Sequence, residues 1–477
     1  MRTRVARAGL GVFLSAALAG CATPSLPTPP VTLSMPSTFP EDSPSDAQGA
    51  TADIGWRTMF RDARLQRLIE IALQHNRDLK LAALNVEQFR AQYAAQGAGL
   101  LPRLEANVSA ARSRVAAPAS PALQTQVGAT LTAAYELDLF GRLHASSEAA
   151  LARYLASDEG RRAIKIALVA AVADAYYAEC LAEAQAALAA RAADDAQAAL
   201  TLLRRLQAAR QSGGAEVAQA EAQRASSEAD LAARRREVAL RRHALDQLLG
   251  KAASTDLLPD RSAELPEGMA LATASLITRL PAGLPSDLLL RRPDLREKEL
   301  ALAAAQADVR AARAALFPRI SLTASTGLAS AGLQSLFKSG SGIWAFAPQI
   351  TQPLFNGGQL KAELRLAELR RNTAVLEYEK AVESAFREVL DGLAGSKSFG
   401  EQIDAQQRAA QAAERRLAVS EKRLLAGLDS RLDYLEAQRQ LHASRQALLE
   451  VRRAEIGNAV ALYKALGGGL QEIDPTH

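Results

Sequence analysis

Aromatic residues are scarce in this chain, at 4% of 477 residues, although 48% of its residues are hydrophobic. Ala and Leu carry the apolar content, and such small side chains suit closely packed long helices better than a wide globular core. Cysteine is almost missing. Cys21 closes an N-terminal leader, which leaves Cys180 alone and excludes an intramolecular disulfide. Cys180 sits in an Ala-rich helical stretch and reads as a small packing residue. His75, His144, His243, His442 and His477 are scattered, with no cluster at metal-ligand spacing. Gly213–Gly214 and Gly467–Gly469 punctuate helices and lack the lysine and hydroxyl of a phosphate-binding loop. No catalytic constellation, metal site or cofactor is therefore expected. An excess of one charge is also missing. The 57 Lys and Arg are nearly balanced by 52 Asp and Glu, interspersed along helices, so the pattern describes solvated helical faces and argues against nucleic-acid binding.

What is present begins with a leader. Arg2, Arg4 and Arg7 precede an apolar run, Ala8–Gly20, that is too short for a good membrane span. It ends in Leu18–Ala19–Gly20–Cys21, which resembles the bacterial lipobox and predicts cleavage to a lipid-bearing Cys21. Ala22 follows instead of the Asp that resembles an inner-membrane retention signal, which favours the outer membrane. Pro24, Pro27, Pro29, Pro30, Pro36, Pro40 and Pro44 then mark an extended tether.

Structure is expected to begin around Trp56 and Phe60, and apolar residues then recur at helical spacing from Leu65 through Leu68, Ile69, Leu79 and Phe89 to about Gly97. At Leu101–Pro102–Arg103 the period changes to two: Leu104, Ala106, Val108 and Ala110 alternate with polar positions to about Ser113. A second alternating run, Val127–Leu137, ends at Phe140–Gly141. Gly141–Gly250 has no proline. It predicts one helix of about seventy residues, spanning roughly 100 Å, a turn near Ser212–Gly214, and a shorter return helix.

The unit then repeats. A helix is expected from Ser286 to Leu316, a proline switch at Phe317–Pro318–Arg319, and a strand to Thr326. A second strand follows with Trp344, Phe346, Pro348 and Ile350 on one face. After the corner Pro353–Gly358, helix runs to Gly467 with a break near Gly427. There Leu360, Leu364, Ala367, Ala374, Tyr378, Ala381 and Ala385 keep a near-3.5 coiled-coil spacing, with Arg371 interrupting it. Pro318 − Pro102 is 216, Phe355 − Phe140 is 215 and Gly467 − Gly250 is 217, which marks a duplication. The expected segments are a signal peptide at 1–20, lipidated tether at 21–55, first repeat at 56–250, linker at 251–285, second repeat at 286–470 and tail at 471–477.

Four alternating runs are long enough to cross an outer membrane when tilted. Open sheet edges are not tolerated in lipid, so several chains must pool their strands into one barrel. Leu104, Val108, Leu131, Ile320, Leu322, Trp344 and Phe346 are its candidate lipid-facing residues. Pro102 and Pro318 mark the boundary between helices and barrel, and Arg103 and Arg319 are expected at headgroup level.

Over Trp56–Leu470 the chain resembles the outer-membrane efflux factors, the TolC-like proteins of the NodT lipoprotein branch. The resemblance rests on Leu18–Cys21, Pro281–Leu289 with Arg291–Arg292–Pro293–Asp294, Phe317–Ile320, Gln352–Gly358 and Leu435–Arg439. It implies a mixed α+β membrane fold, in which a homotrimer forms a twelve-stranded barrel continuous with a periplasmic helical tunnel. It also implies docking to a periplasmic adaptor and an inner-membrane pump, often of the resistance-nodulation-division class. The function implied is a passive exit duct of a tripartite efflux system. By the same resemblance, Asp429, Asp433 and Glu436 fall where the family places an acidic gate ring. Arg431 or Arg423 would bridge that ring, and Glu216 would match Asp433 in the first repeat. Gly213 and Gly214 are shifted relative to Gly427, which leaves the first turn uncertain by about two residues. Adaptor docking is expected in grooves near these turns, with Arg423, Leu424, Gly427 and Ser430. The rival expectation is a lipoprotein coiled-coil scaffold or adaptor without a pore, which would need no alternating strands.

Overall fold

A computed structural model describes residues 55–115, 122–258 and 291–468. The Cys21 leader, the tether, linker residues 259–285, the Pro281–Leu289 motif and the tail lie outside the described residues. After a short helical turn at Trp56–Met59, the main elements in chain order are α1 (Ala63–His75), α2 (Arg77–Ala98), β1 (Arg103–Val115), β2 (Ala122–Leu137), α3 (Arg142–Ala208) and α4 (Gly214–Leu249). The second repeat contributes α5 (Pro293–Ala314), β3 (Arg319–Ser330), β4 (Gly342–Thr351), α6 (Gln359–Leu425) and α7 (Arg431–Ala465). The duplication is visible element by element. Both α2 and α5 have 22 residues, and both α3 and α6 have 67. Among the described residues, no helix is long and apolar enough to cross a membrane.

The single helix expected from Leu65 to Gly97 is two helices, broken at Asn76. This residue leaves helical geometry at ψ 133. Its side chain accepts from Leu79 N at 3.0 Å and donates to Leu248 O at 2.8 Å. A polar residue that can cap the next helix offers the backbone an alternative to continuing the first. The helix expected from Ser286 begins at Pro293, which suits the first helical position because its missing N–H needs no partner there. Both helix-to-strand switches tighten before the proline: Leu100 N donates to Gly97 O, and Leu316 N to Arg313 O, each at 3.1 Å. The expected coiled-coil stripe on α6 is buried or half-buried throughout, while Leu366, Leu369 and Leu376 of the same helix are exposed.

Both repeats contribute to each of two compact units. One unit holds 84–115, 122–158 and 297–380, and contains the sheet. Its four strands are antiparallel in the order β1-β2-β3-β4. The β1–β2 pairing runs without a bulge from Arg103↔Ala134 to Val115↔Ala122. The strands outrun the alternation expected from sequence, since β3 continues to Ser330 and β1 to Val115.

The other unit holds 55–83, 159–258, 291–296 and 381–468. Its core gathers Trp56, Phe60, Leu65 and Ile69 against Val172 and Tyr177 of α3, Leu245 of α4, and Ile456 and Tyr463 of α7. Arg292 is buried beside this core. It makes two bonds to Asp294, at 3.0 and 2.7 Å, one to Glu388 at 2.9 Å, and one to Ala465 O at 2.8 Å. One guanidinium thus ties the start of α5 to α6 and to the last residue of α7.

Candidate functional site

Paired residues in an antiparallel ladder share a face of the sheet. The register therefore aligns rows such as Leu104–Ala133–Ala324–Phe346 and Ala106–Leu131–Thr326–Trp344. Further rows add Tyr135–Leu322–Pro348 and Leu137–Ile320–Ile350. From the Leu137 row to the Ala110–Val127 row one face is thus almost wholly apolar, and Val108 and Trp344 on it are each 81% exposed. The opposite face carries Glu105, Asn107 and Ser109 with Thr132, Thr130, Ser321, Thr323, Ser325 and Gln349. All seven residues expected to face lipid lie on the apolar side. Arg103 and Arg319 lie on the polar side, in the rows Arg103–Ala134 and Arg319–Thr351, and Arg103 approaches Glu105 at 3.8 Å. The register sets both arginines on the face opposite the seven residues expected to meet lipid, because residue parity, not depth, decides which face a side chain occupies. Among the described residues, strands β1 and β4 each leave one edge unpaired.

At the switch itself, Phe317 stacks on Phe140 with centroids 4.9 Å apart and planes 11° from parallel. Gln352 Nε2 donates to Leu316 O at 3.2 Å. The two repeats are pinned to one another beside Pro102 and Pro318 by an aromatic pair that spacing alone does not reveal.

In the helical unit the two helix–helix turns share one backbone design. Leu428 N donates to Arg423 O at 2.8 Å and Gly427 N to Leu424 O at 3.0 Å, with Gly427 in the left-handed region at φ 70. The first turn repeats this with Gln211 N to Leu206 O at 2.8 Å and Arg210 N to Gln207 O at 2.9 Å. Arg210 takes the left-handed place at φ 61. Both are helix ends of the Schellman type. The offsets 427 − 210 and 430 − 213 are both 217, so the turns are in register and Glu216 does match Asp433. The apparent shift arises because arginine occupies the position where glycine is favoured.

The predicted gate carboxylates are brought to these turns, and local partners hold them. Ser430 caps α7 in a reciprocal box with Asp433: Asp433 N donates to Ser430 Oγ at 3.3 Å, and Ser430 N to Asp433 Oδ2 at 3.2 Å. The Ser430 hydroxyl bond holds the Asp433 carboxyl below its ordinary range. In the first turn Gly213 has no capping side chain, and the preceding Ser212 hydroxyl donates to Glu216 instead. That bond, a backbone bond from Gly213 and the Arg431 charge lower the Glu216 carboxyl. Arg423 pairs with Asp429 at 2.7 Å. Glu436 is held by Arg439 through two bonds, at 2.9 and 2.7 Å, which lower its carboxyl. Sequence reasoning named Arg423 and Arg431 as bridges and missed Arg439, although its place three residues after Glu436 was the available signal.

Two open grooves flank α7. One, of about 550 Å³, lies between α3, α4 and α7 and is lined by Asp195, Asp230, Leu432, Glu436, Arg439 and His442. The other, of about 500 Å³, lies between α3, α6 and α7 and shares Asp195 and His442, whose Oδ2 and Nε2 are 3.4 Å apart. None of Arg423, Leu424, Gly427 and Ser430 lines either groove. These four sit at the turn, among the exposed side chains of Leu425, Leu428 and Leu432.

The family model of outer membrane efflux proteins matches residues 68–251 and 284–468. The two matches are offset by 284 − 68 = 216 and 468 − 251 = 217 residues, the spacing of the duplication. The toluene efflux pump outer membrane protein TtgC of Pseudomonas putida is 42% identical over 464 residues, covering 95% of this chain and 94% of that protein. The cation efflux system protein CusC of Escherichia coli is 38% identical, with 96% and 97% covered. The open-state crystal structure of the Neisseria gonorrhoeae MtrE outer membrane channel superposes with a TM-score of 0.80 at 38% identity. That match covers 94% of this chain and 98% of MtrE.

Proposed function

The chain belongs to the outer membrane efflux protein family, and on that premise we propose that it is the outer-membrane channel of a tripartite efflux pump. Three copies close twelve strands into a barrel, and their long helices form the tunnel that continues into the periplasm. The observation that carries this reading is the sheet register, which sets one continuous apolar face against one polar face and leaves two edges to be paired. In lipid such edges have no water to bond, so only closure with further copies satisfies them. The duct performs no chemistry of its own. Energy comes from an inner-membrane pump of the resistance-nodulation-division class, reached through a periplasmic adaptor. Relatives of similar identity are named for toluene and for cation efflux, which supports a conduit that does not select its cargo.

The turns are the periplasmic end of the duct. Asp429, Asp433, Glu436 and Glu216, with Arg431, form its gate, and Arg423, Leu424, Gly427 and Ser430 seat the adaptor. Leu425, Leu428 and Leu432 add an apolar contact there. Cys21 is the lipid attachment point and holds the chain at the outer membrane; Cys21→Ser should remove a lipid-sized mass from the mature protein. Planar-bilayer recording of the purified full-length protein tests the main reading. Discrete channels are expected, with cation block weakened by D433A/E436A. A heat-sensitive trimer that conducts nothing, even with its tip residues substituted, would instead point to a scaffold.

A further inference from the structure

The sheet unit carries a charge asymmetry that the channel reading leaves unused. Between Asn107 and Ala134, and again between Ile320 and Lys361, the sequence contains no Asp or Glu. The cations inside those stretches are Arg112, Arg114 and Lys338. All three fall at one end of the sheet. Helices α2, α3, α5 and α6 join the strands at the other end, whereas Arg112 and Arg114 lie at the far end of β1 and Lys338 lies in the β3–β4 connection.

The bulge-free register fixes where the arginines face. Arg112 pairs with Thr125 and Arg114 with Leu123, so both share the apolar side with Leu104, Val108 and Ala110. Their side chains are exposed, and none of the three cations forms an ion pair among the described residues. Phe337, 80% exposed, stands next to Lys338 in the connection.

Depth follows from strand geometry. The apolar rows run unbroken from Leu137 to Val127 on β2, past which Thr125 and Leu123 follow on the same face. Ten residues at about 3.3 Å each, tilted about 40°, stand roughly 25 Å tall, the height of the apolar band of an outer-membrane barrel. Arg112 begins one side-chain step above that band and Arg114 a second. A guanidinium within the band would be costly, but at its margin a long side chain reaches the headgroups.

We propose that Arg112, Arg114 and Lys338 form an outward-facing cationic rim that binds the phosphate groups of the phosphorylated glycolipid in the outer leaflet. The planar arginine fork matches phosphate oxygens in bidentate fashion, and no carboxylate stands nearby to compete. The rim rests on the barrel reading, which sets the helix-free end of the sheet at the outer surface.

The test is native mass spectrometry of the purified full-length protein with bisphosphorylated lipid A and with the same lipid after enzymatic removal of both phosphates. Wild type should prefer the phosphorylated form. R112Q/R114Q should bind that form about thirtyfold more weakly, from the roughly fivefold that each basic side chain contributes near an anionic surface. R235Q/R236Q, which removes the same charge from exposed positions on α4, should bind as wild type does. Equal binding of the two lipids by wild type would overturn the rim without recourse to any variant. Displacement by millimolar inorganic phosphate would also overturn it, by identifying a general anion site. Bilayer conductance of the same preparation separates the two readings. A conducting protein indifferent to lipid phosphate sinks the rim alone, and a protein that forms no channel sinks the barrel beneath it.

Discussion

Replacing Arg292 by Met should loosen the helical unit by about 3 kcal/mol, a value set by what the guanidinium touches. Arg292 itself is buried, but its carboxylate partners are not: the Asp294 and Glu388 side chains are 47% and 41% exposed. Water can rehydrate both when the cation is gone, so each lost pair counts for about 0.5–1 kcal/mol and not the full value of a buried charge-assisted bond. The acceptor at Ala465 O is different. It lies on a residue that is 2% exposed, and an unpaired buried carbonyl costs about 1–3 kcal/mol. Met keeps the apolar volume, which limits any cavity contribution. Thermal unfolding of the detergent-solubilised protein, followed by far-ultraviolet circular dichroism, measures the loss. Acid supplies a second readout. Burial raises the Asp294 carboxyl, but hydrogen bonds and charge from Arg292 outweigh it and hold the group below its ordinary range. A carboxyl depressed in the folded state stabilises above its unfolded value of about 3.9 and loses that contribution as pH falls through its lower folded value. The gap between wild type and R292M should therefore be full at pH 7 and narrow below about pH 4. A loss under about 1 kcal/mol at pH 7, or a gap that ignores acid, would refute the reasoning.

Three further substitutions have expected outcomes. Arg210→Gly relieves a left-handed arginine and should stabilise the first turn by about 1 kcal/mol, seen as slower proteolysis between α3 and α4. Gly327→Ala would drive a Cβ into Ala129 O and set it 2.7 Å from Thr130 Cα. The β2–β3 ladder has no room for it, so channel activity and heat-resistant assembly should both be lost. Asn76→Ala removes the cap of α2 and the bond to Leu248 O, and should lower stability by about 2 kcal/mol in the same thermal assay.

Much of this architecture is legible in the residues because long-period signals are robust. Pro102 and Pro318 announce the switches, the proline-free run predicts α3 and α4, and the 216-residue spacing shows the repeat. Short-range polar chemistry is harder to read. Asn76 breaks a helix whose apolar spacing passes through it undisturbed, because its side chain bonds to Leu248, 172 residues away. Arg210 hides the first turn, since nothing in an arginine signals positive φ. At the tips, residue identity located the carboxylates without revealing their partners, for Asp433 folds back on Ser430 and Glu436 on Arg439. Arg103 and Arg319 show the limit of reasoning from depth alone. Once pairing is known, parity assigns them to the polar face.

The unlike turns have a consequence for assembly. In the trimer proposed above, the periplasmic end presents six turns in strict alternation, three built on Gly427 with a serine cap and three on Arg210 with a glycine cap. The backbone repeats six times around the axis, but the chemistry repeats only three times. A partner ring of six identical subunits would therefore meet two kinds of seat and would have to fill them with unequal affinity, so half of its contacts could release before the others.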